Sequence, residues 1–401
     1  MTDTFIYDGI RTPFGRDAGG LATIRPDDLL ADTIAELVKR GSFRAGDVED
    51  VIMGCTNQAG EDSRNVARHA ALLAGLPTDV AGATVNRLCG SGLAAVLDAS
   101  RCASVGMGEL FIAGGVESMS RAPIAIAKSE KAYGREIRIF DTTIGARFPN
   151  PKVIKQFGND TMPQTADNVG RDLQITREET DRFAIASQQK YAKAKADGFF
   201  AGEIRDVVVP GGKKGDVITI REDEHPRPDT SLEKLGKLKA LFDGGVVTAG
   251  NASGINDGAA ALFIGTKAAG DKAGAKPRVR IVASAVAGVE PRVMGLGPVP
   301  AAKKALERAG LTLKDMDIIE INEAFSTQVL GCLKMLGVAF DDARVNPNGG
   351  AIAIGHPLGA SGARIALTTM RELERRKGRY ALVSLCIGVG QGIAAVLERV
   401  D

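Results

Sequence analysis

An α/β chain made of two copies of one unit, the first copy carrying a long insertion, is the fold that the sequence predicts, and three internal matches predict it. D-V-I-M-G-C (Asp50 to Cys55) recurs as D-I-I-E-I-N (Asp317 to Asn322), an offset of 267 positions. Cys89 and His356, each in a glycine-rich turn, lie the same 267 apart. G-I-N-D-G-A-A-A-L (Gly254 to Leu262) then matches G-V-G-Q-G-I-A-A-V (Gly388 to Val396) at 134, so the first copy holds about 133 extra residues between Cys89 and Gly254.

The N-terminal M-T-D-T-F-I-Y-D-G-I-R-T-P enters a strand almost at once. L-L-A-D-T-I-A-E-L-V-K-R-G (Leu29 to Gly41) has helical apolar spacing and leads into the strand at Asp50. In V-N-R-L-C-G-S-G-L-A-A-V (Val85 to Val96) a strand-like run meets a glycine-flanked turn and then an apolar helix. A sulfur at a helix N-terminus faces unpaired N–H groups and the positive end of the dipole, which favours thiolate, so Cys89 is expected to be reactive. E-L-F-I-A-G-G-V-E-S-M (Glu109 to Met119) closes the first part as a strand. From Ser120 to about Thr248 the texture changes to P-N-P, P-G-G-K-K-G and H-P-R-P-D-T, broken by one helical run, Arg177 to Ala194; it reads as a cap over one face. The second copy repeats the order: helix A-A-K-K-A-L-E-R-A-G (Ala301 to Gly310), the strand from Asp317, the turn G-H-P-L-G-A-S-G (Gly355 to Gly362) and L-C-I-G-V-G-Q-G (Leu385 to Gly392). The expected division is 1–120 plus 249–272 for the N-terminal half, 121–248 for the insertion and 273–401 for the C-terminal half. Two duplicated sheets facing each other would bring Cys89 and His356 together across a pseudo-twofold axis, where active sites commonly form.

Composition narrows the function classes. With 401 residues, 44% of them hydrophobic, and 49 glycines, the chain is long enough to bury two or more cores. A net charge of +2, no Trp and 4% aromatics argue against nucleic-acid binding, which uses basic tracts with stacking residues. No apolar run is long enough to span a membrane, and the N-terminus carries no charged leader or apolar signal core, so a cytoplasmic location is expected. The five scattered cysteines form no C-x-x-C pair and no disulfide framework. Cys55, Cys102 and Cys332 lie within apolar patterns and read as small buried hydrophobes. Cys89 and Cys386 stand at strand ends beside glycines, where packing does not call for sulfur. The turn at His356 lacks the Lys-Ser/Thr ending of a phosphate loop, and G-V-G-Q-G lacks dinucleotide spacing. Carbon–carbon chemistry on a thioester is what a histidine and two cysteines in such turns suggest.

N-R-L-C-G-S-G, G-G-V-E-S-M-S, T-A-G-N-A-S-G-I-N-D-G-A-A, N-E-A-F, N-P-N-G-G-A-I-A-I-G-H-P-L-G-A-S-G and C-I-G-V-G-Q-G resemble the thiolase family along essentially the whole chain. The resemblance implies a layered α-β-α-β-α core with an inserted cap domain. It also implies cleavage of 3-oxoacyl-CoA by CoA, or the reverse condensation, with coenzyme A as substrate and no metal or redox cofactor. Cys89 would carry the acyl group, and His356 would take its proton, an imidazole near neutrality suiting the task. Cys386 would protonate the departing acetyl-CoA carbanion equivalent. Asn322 would hold a water that pairs with His356 at the enolate oxygen, and the backbone N–H groups of Cys89 and Gly388 would hold the tetrahedral intermediate. The resemblance also points to Arg227 at the adenine nucleotide, Ser253 at the pantetheine, and Met162 and Met294 bordering the acyl pocket. K-L-G-K-L-K (Lys234 to Lys239) could meet the CoA phosphates. A homodimer or homotetramer is expected.

Three segments are most similar to family members that act on 3-oxoadipyl-CoA in aromatic-compound degradation: G-C-T-N-Q-A-G-E-D-S-R-N-V-A-R (Gly54 to Arg68), D-T-T-I-G-A-R-F (Asp141 to Phe148) and E-H-P-R-P-D-T (Glu224 to Thr230). Acetyl-CoA acetyltransferase and the 3-ketoacyl-CoA thiolase of fatty-acid β-oxidation are alternative readings. T-M-P (Thr161 to Pro163) stands where acetoacetyl-CoA enzymes often show H-M-G. A buried dicarboxylic tail needs a counter-charge, for which Arg147 is the candidate, against the alternative of a solvent-facing arginine. Two other classes compete. A catalytically silent acyl-CoA or lipid carrier on the same fold would not need Cys89, Asn322, His356 and Cys386 together. A decarboxylating ketoacyl synthase would have little need of Cys386, and neither His69 nor His225 sits in a turn comparable to that of His356.

Overall fold

Apolar runs without polar alternation become strands buried on both faces, and runs of helical period become the helices that cover them. The structure is a computed structural model describing residues 2–211 and 215–400, so residues 212–214 of P-G-G-K-K-G lie outside the described residues. The first half runs β1 (Thr4–Arg11), β2 (Gly15–Arg16), α1 (Pro26–Arg40), β3 (Asp50–Gly54), α2 (Val66–Leu73), β4 (Ala81–Val85), α3 (Ser91–Ser104) and β5 (Leu110–Ser118). An inserted segment follows, with hairpin β6 (Ile124–Ile126) and β7 (Ile139–Asp141), then α4 (Pro151–Phe157), α5 (Met162–Leu173), α6 (Arg177–Ala196), hairpin β8 (Val207–Pro210) and β9 (Val217–Ile220), and α7 (Leu232–Gly236). The first half then closes with β10 (Asn256–Thr266) and α8 (Lys267–Ala273). The second half runs β11 (Val279–Gly288), α9 (Pro298–Ala309), β12 (Ile318–Ile321), α10 (Ser326–Leu336), α11 (Ala351–Ile354), α12 (Leu358–Arg376), β13 (Tyr380–Ile387) and β14 (Gln391–Arg399).

Strand order shows the duplication. The first half is ordered β1-β10-β5-β3-β4 and the second β11-β14-β13-β12. β3 runs parallel to both β4 and β5; β12 runs parallel to β13 and makes an isolated parallel bridge, Ile319 to Val345, on the side where the first half has β4. The facing sheets expected from sequence also meet along one edge, through two register pairs of β1 and β11, Phe5 with Arg280 and Ile6 with Val279. Between them lies a helical layer. Leu93 and Val96 of α3 and Leu367 and Met370 of α12 share one core with Ile6 and Leu262 of the first sheet and Val383 and Leu397 of the second. α1 and α2 cover the outside of the first sheet, α9 and α10 that of the second. This is the α-β-α-β-α layering that the resemblance implied.

The inserted segment does more than cap one face. Val169 of α5, Phe183 of α6 and Leu235 of α7 are buried in the second half's core. Arg11, at the end of β1 and fully buried, pairs with Glu203 at 2.7 Å and Asp223 at 2.6 Å, binding both sides of the β8–β9 hairpin to the first strand. The single helix read from sequence in this region is α6. α4, α5 and α7 are not evident in the sequence; in α5, Pro163, Gly170 and a polar composition mask the capping box at Thr161 and Gln164 that opens it.

Candidate active site

Glycine brings the two candidate turns together. α3 and α12 cross at their N-terminal ends so closely that a Cβ on Gly92 would lie 2.6 Å from the Gly359 carbonyl oxygen, and one on Gly362 would lie 2.2 Å from the Leu93 amide nitrogen. Cys89 stands just ahead of α3 and His356 just ahead of α12. Cys386 arrives at the end of β13, where its neighbour Ile387 is so close to Gly90 that a Cβ there would sit 2.7 Å from Cδ1. The turn before Cys89 is strained, with Leu88 at φ +47°, and Ser91 holds it: its Oγ accepts from the Arg87 N–H at 2.8 Å and donates to the Leu88 carbonyl at 2.6 Å.

Hydrogen bonds fix the state of the buried His356. Ser361 Oγ donates its one proton to the Pro357 carbonyl at 2.9 Å, so at 2.6 Å from His356 Nδ1 it can only accept. The ring proton therefore sits on Nδ1, and Nε2 presents a lone pair to Asn322 Nδ2 at 3.3 Å. The His356 N–H donates to Asn256 Oδ1 at 2.9 Å. Asn322 thus meets the imidazole directly, while its buried Oδ1 has no partner among the described residues.

Burial, rather than the helix dipole, governs the thiols. Cys89, half-buried as a residue, is pushed up to about 11 by desolvation, against the opposing N–H groups of Gly388 and Cys89 itself and with a smaller upward push from the Glu117 carboxylate. Dry surroundings thus outweigh the amides at the helix N-terminus, which the sequence suggested would favour the thiolate. Cys386 is raised well above the ordinary thiol range by burial, then by the charge that Cys89 would carry, so the two sulfurs share one electrostatic environment. His356 is pushed down to about 3 by burial and then by the charge of Arg364, which corrects the expectation of an imidazole near neutrality.

The remaining sequence candidates divide. Met162 and Met294 pack in the cluster around Cys386, and the Met162 sulfur would lie 3.7 Å from a Cβ on Gly388. Ser253 is tied to the N-E-A-F loop through its N–H on the Ala324 carbonyl at 2.9 Å. Arg227 is exposed, and its Nη1 is spent on the carbonyls of Glu224, His225 and Pro226. Arg147 is half-buried and hydrogen-bonded rather than facing solvent. Among the other cysteines, Cys332 is buried, Cys102 is only half-buried, and Cys55 donates to the Asn57 carbonyl at 2.8 Å, so it is more than a hydrophobe.

Sequence reading missed Ser361, Asn256 and Glu117. Glu117 is buried and accepts from Thr56 N and Asn57 N at 3.0 Å and from Gly359 N at 2.9 Å, capping α12 from the other half of the molecule. Ser361 had a signal, since it falls five residues after His356 in the first turns of a helix. Glu117 in G-G-V-E-S-M-S and Asn256 in T-A-G-N-A-S-G-I-N-D-G-A-A lie within motifs that carry the resemblance, but their spacing does not show which turns they hold.

A duplicated α/β core with Cys89 and His356 ahead of two crossing helices, and with Cys386 within electrostatic reach of Cys89, is an arrangement suited to an acyl-transferring thiol enzyme. Residues 4–268 match the thiolase N-terminal domain and residues 275–399 the thiolase C-terminal domain. The chain belongs to the thiolase family. It is 59% identical over 402 residues to the 3-oxoadipyl-CoA/3-oxo-5,6-dehydrosuberyl-CoA thiolase of Escherichia coli K12, covering 100% of both chains. It is 58% identical over 402 residues to a beta-ketoadipyl-CoA thiolase of Acinetobacter baylyi, again covering 100% of each. Human mitochondrial 3-ketoacyl-CoA thiolase in complex with CoA superposes with a TM-score of 0.91 at 39% identity, over 100% of this chain and 98% of that one. The acetyl-CoA acetyltransferase of Bacillus anthracis gives a TM-score of 0.92 at 38% identity, over 100% and 99%.

Proposed function

We propose that the protein cleaves 3-oxoadipyl-CoA with CoA to succinyl-CoA and acetyl-CoA through an acyl-enzyme on Cys89. The convergence of Cys89, Cys386 and the Asn322–His356 pair at the α3–α12 crossing carries this reading, and full-length relatives named for 3-oxoadipyl-CoA support the substrate.

Cys89 Sγ bonds to C3 of the substrate while its proton passes to His356 Nε2, and the C3 oxygen takes the negative charge. The N–H groups of Cys89 and Gly388 stabilise that oxyanion. Collapse restores the C3 carbonyl and breaks C2–C3, and the electron pair leaves as the enolate of acetyl-CoA, its oxygen facing His356 Nε2–H and Asn322. Cys386 protonates C2 and releases acetyl-CoA. The thiol of incoming CoA returns a proton to Cys386 and its sulfur attacks the acyl-enzyme. Succinyl-CoA departs, and Cys89 recovers its proton from His356. Neutral resting groups suit this cycle, because each charge arises only where a donor waits for it.

Among the described residues no helix is long and apolar enough to cross a membrane. A homodimer or homotetramer in the cytoplasm is the proposed setting, supported by the half-open edge strand β4 and by exposed Ile124, Ile126 and Ile139 on the β6–β7 hairpin. Steady-state thiolysis across 3-oxoacyl-CoA esters, with and without stoichiometric iodoacetamide labelling of Cys89, tests the activity. Turnover of 3-oxoadipyl-CoA that labelling abolishes is expected, and unchanged turnover after labelling would sink the acyl-enzyme.

A further inference from the structure

We propose that Arg147 is the group that takes the terminal carboxylate of the dicarboxylic acyl chain, held ready for it by Asn57 and Thr142. This rests on the function proposed above and names the residue that sets its substrate class.

Two of the segments that resemble 3-oxoadipyl-CoA enzymes touch each other through this side chain. Arg147 Nη1 donates to Asn57 Oδ1 at 3.3 Å, across 90 positions of sequence, and Nη2 donates to the Thr142 carbonyl at 3.0 Å. Asn57 Nδ2 in turn donates to Thr142 Oγ1 at 3.4 Å. Both acceptors of the guanidinium are neutral. A guanidinium has five N–H donors in a planar fork, so three remain for a ligand, in the geometry that suits a carboxylate. Asp62 feels the charge of Arg147 only as the smallest of five influences, and its Oδ1 accepts from the Gly60 N–H.

The same short stretch holds Arg147 and the catalytic turns. Asn86, three residues before Cys89, donates from Nδ2 to the Thr56 carbonyl at 3.2 Å, and Thr56 adjoins Asn57. The N–H groups of Thr56 and Asn57 end on Glu117, which also caps α12 beside His356. Beyond C3, 3-oxoadipyl-CoA has only two methylenes before its carboxylate. That anion stays within a few bonds of the carbon carried by Cys89 and needs a partner wherever it is buried, and the Asn86–Thr56–Asn57 connection makes Arg147 the candidate.

The rival role is a latch that pins the turn after β7 to the loop after β3. Thiolysis of 3-oxoadipyl-CoA and of 3-oxohexanoyl-CoA, the same six-carbon chain ending in a methyl group, separates the two. In wild type kcat/KM favours the dicarboxylic ester. In Arg147→Gln it falls about 10- to 100-fold for 3-oxoadipyl-CoA, mainly through KM, and holds for 3-oxohexanoyl-CoA. Arg147→Lys, which keeps the charge, retains part of the preference. Product inhibition supplies a readout independent of turnover: succinyl-CoA outcompetes butyryl-CoA in wild type and loses that advantage in Arg147→Gln. Equal loss on both esters makes Arg147 a latch, and a preference that survives in Arg147→Gln overturns the assignment alone. A wild type indifferent to the carboxylate overturns the substrate reading and the assignment together.

Discussion

Between a Cys89 thiol pushed up to about 11 and a His356 imidazole pushed down to about 3, proton transfer runs uphill until a substrate oxygen can receive the charge. Reactivity toward an alkylating agent, which offers no such oxygen, should then track the small thiolate fraction. The rate of iodoacetamide labelling at Cys89 is expected to climb about tenfold per pH unit from neutrality to roughly pH 10, measured by mass spectrometry of the labelled peptide; a plateau near neutrality would mean a stabilised thiolate. Ser361 makes the complementary case. Its hydroxyl keeps the ring proton on Nδ1, so Ser361→Ala frees the imidazole to place that proton on Nε2, where it blocks acceptance from Cys89. A fall of about 10- to 100-fold in kcat with little change in KM is expected, since the group orients a base and does not touch substrate. A KM effect at constant kcat would refute the tautomer argument.

Two helices carry the site, and their crossing leaves no space for a methyl group. Gly362→Ala would thrust a Cβ to 2.2 Å from the Leu93 amide nitrogen, which is backbone and cannot rotate away. Overpacking of this kind costs about 3 kcal/mol, and it also separates the turns. Activity per folded molecule should therefore drop further than the thermal midpoint predicts, whereas activity that survives in proportion to folding would show that the crossing only stabilises. Much at this scale was legible in the sequence. The offset of 267 that linked Cys89 with His356 corresponds to matched turns before α3 and α12, and the offset of 134 to matched strands β10 and β14. What stayed hidden depended on contacts between segments far apart in the chain. Glu117 acts through three amides from two segments far apart in the chain, and the direction of the Cys89 and His356 shifts follows from how dry the crossing is, which no local motif encodes. α5 was missed for a local reason, its helical period being broken by Pro163 and Gly170.

Across the whole molecule, buried titratable groups set where the fold is most stable. His356, pushed down to about 3, and His225, pushed down to about 4 mainly by burial, refuse protons that the unfolded chain accepts below about 6.5. Stability should therefore fall as pH drops through 6.5 toward those values. Glu320, raised to about 8 mainly by burial, binds a proton in the folded state that the unfolded chain releases above about 4.5, so its contribution declines as pH rises toward 8. A thermal midpoint that peaks near neutrality is expected in a pH series, with a shallower acid limb in His225→Gln; an acid limb unchanged in that variant would remove His225 from the account. The glycine contact between α3 and α12 has one more consequence. Because the meeting point of the two turns tolerates no added atom, evolution cannot adjust it in small steps. The stretch between β5 and β10, where Arg147 sits, lies outside that crossing, so a change there can alter the acyl groups accepted while the meeting of the two turns stays as it is.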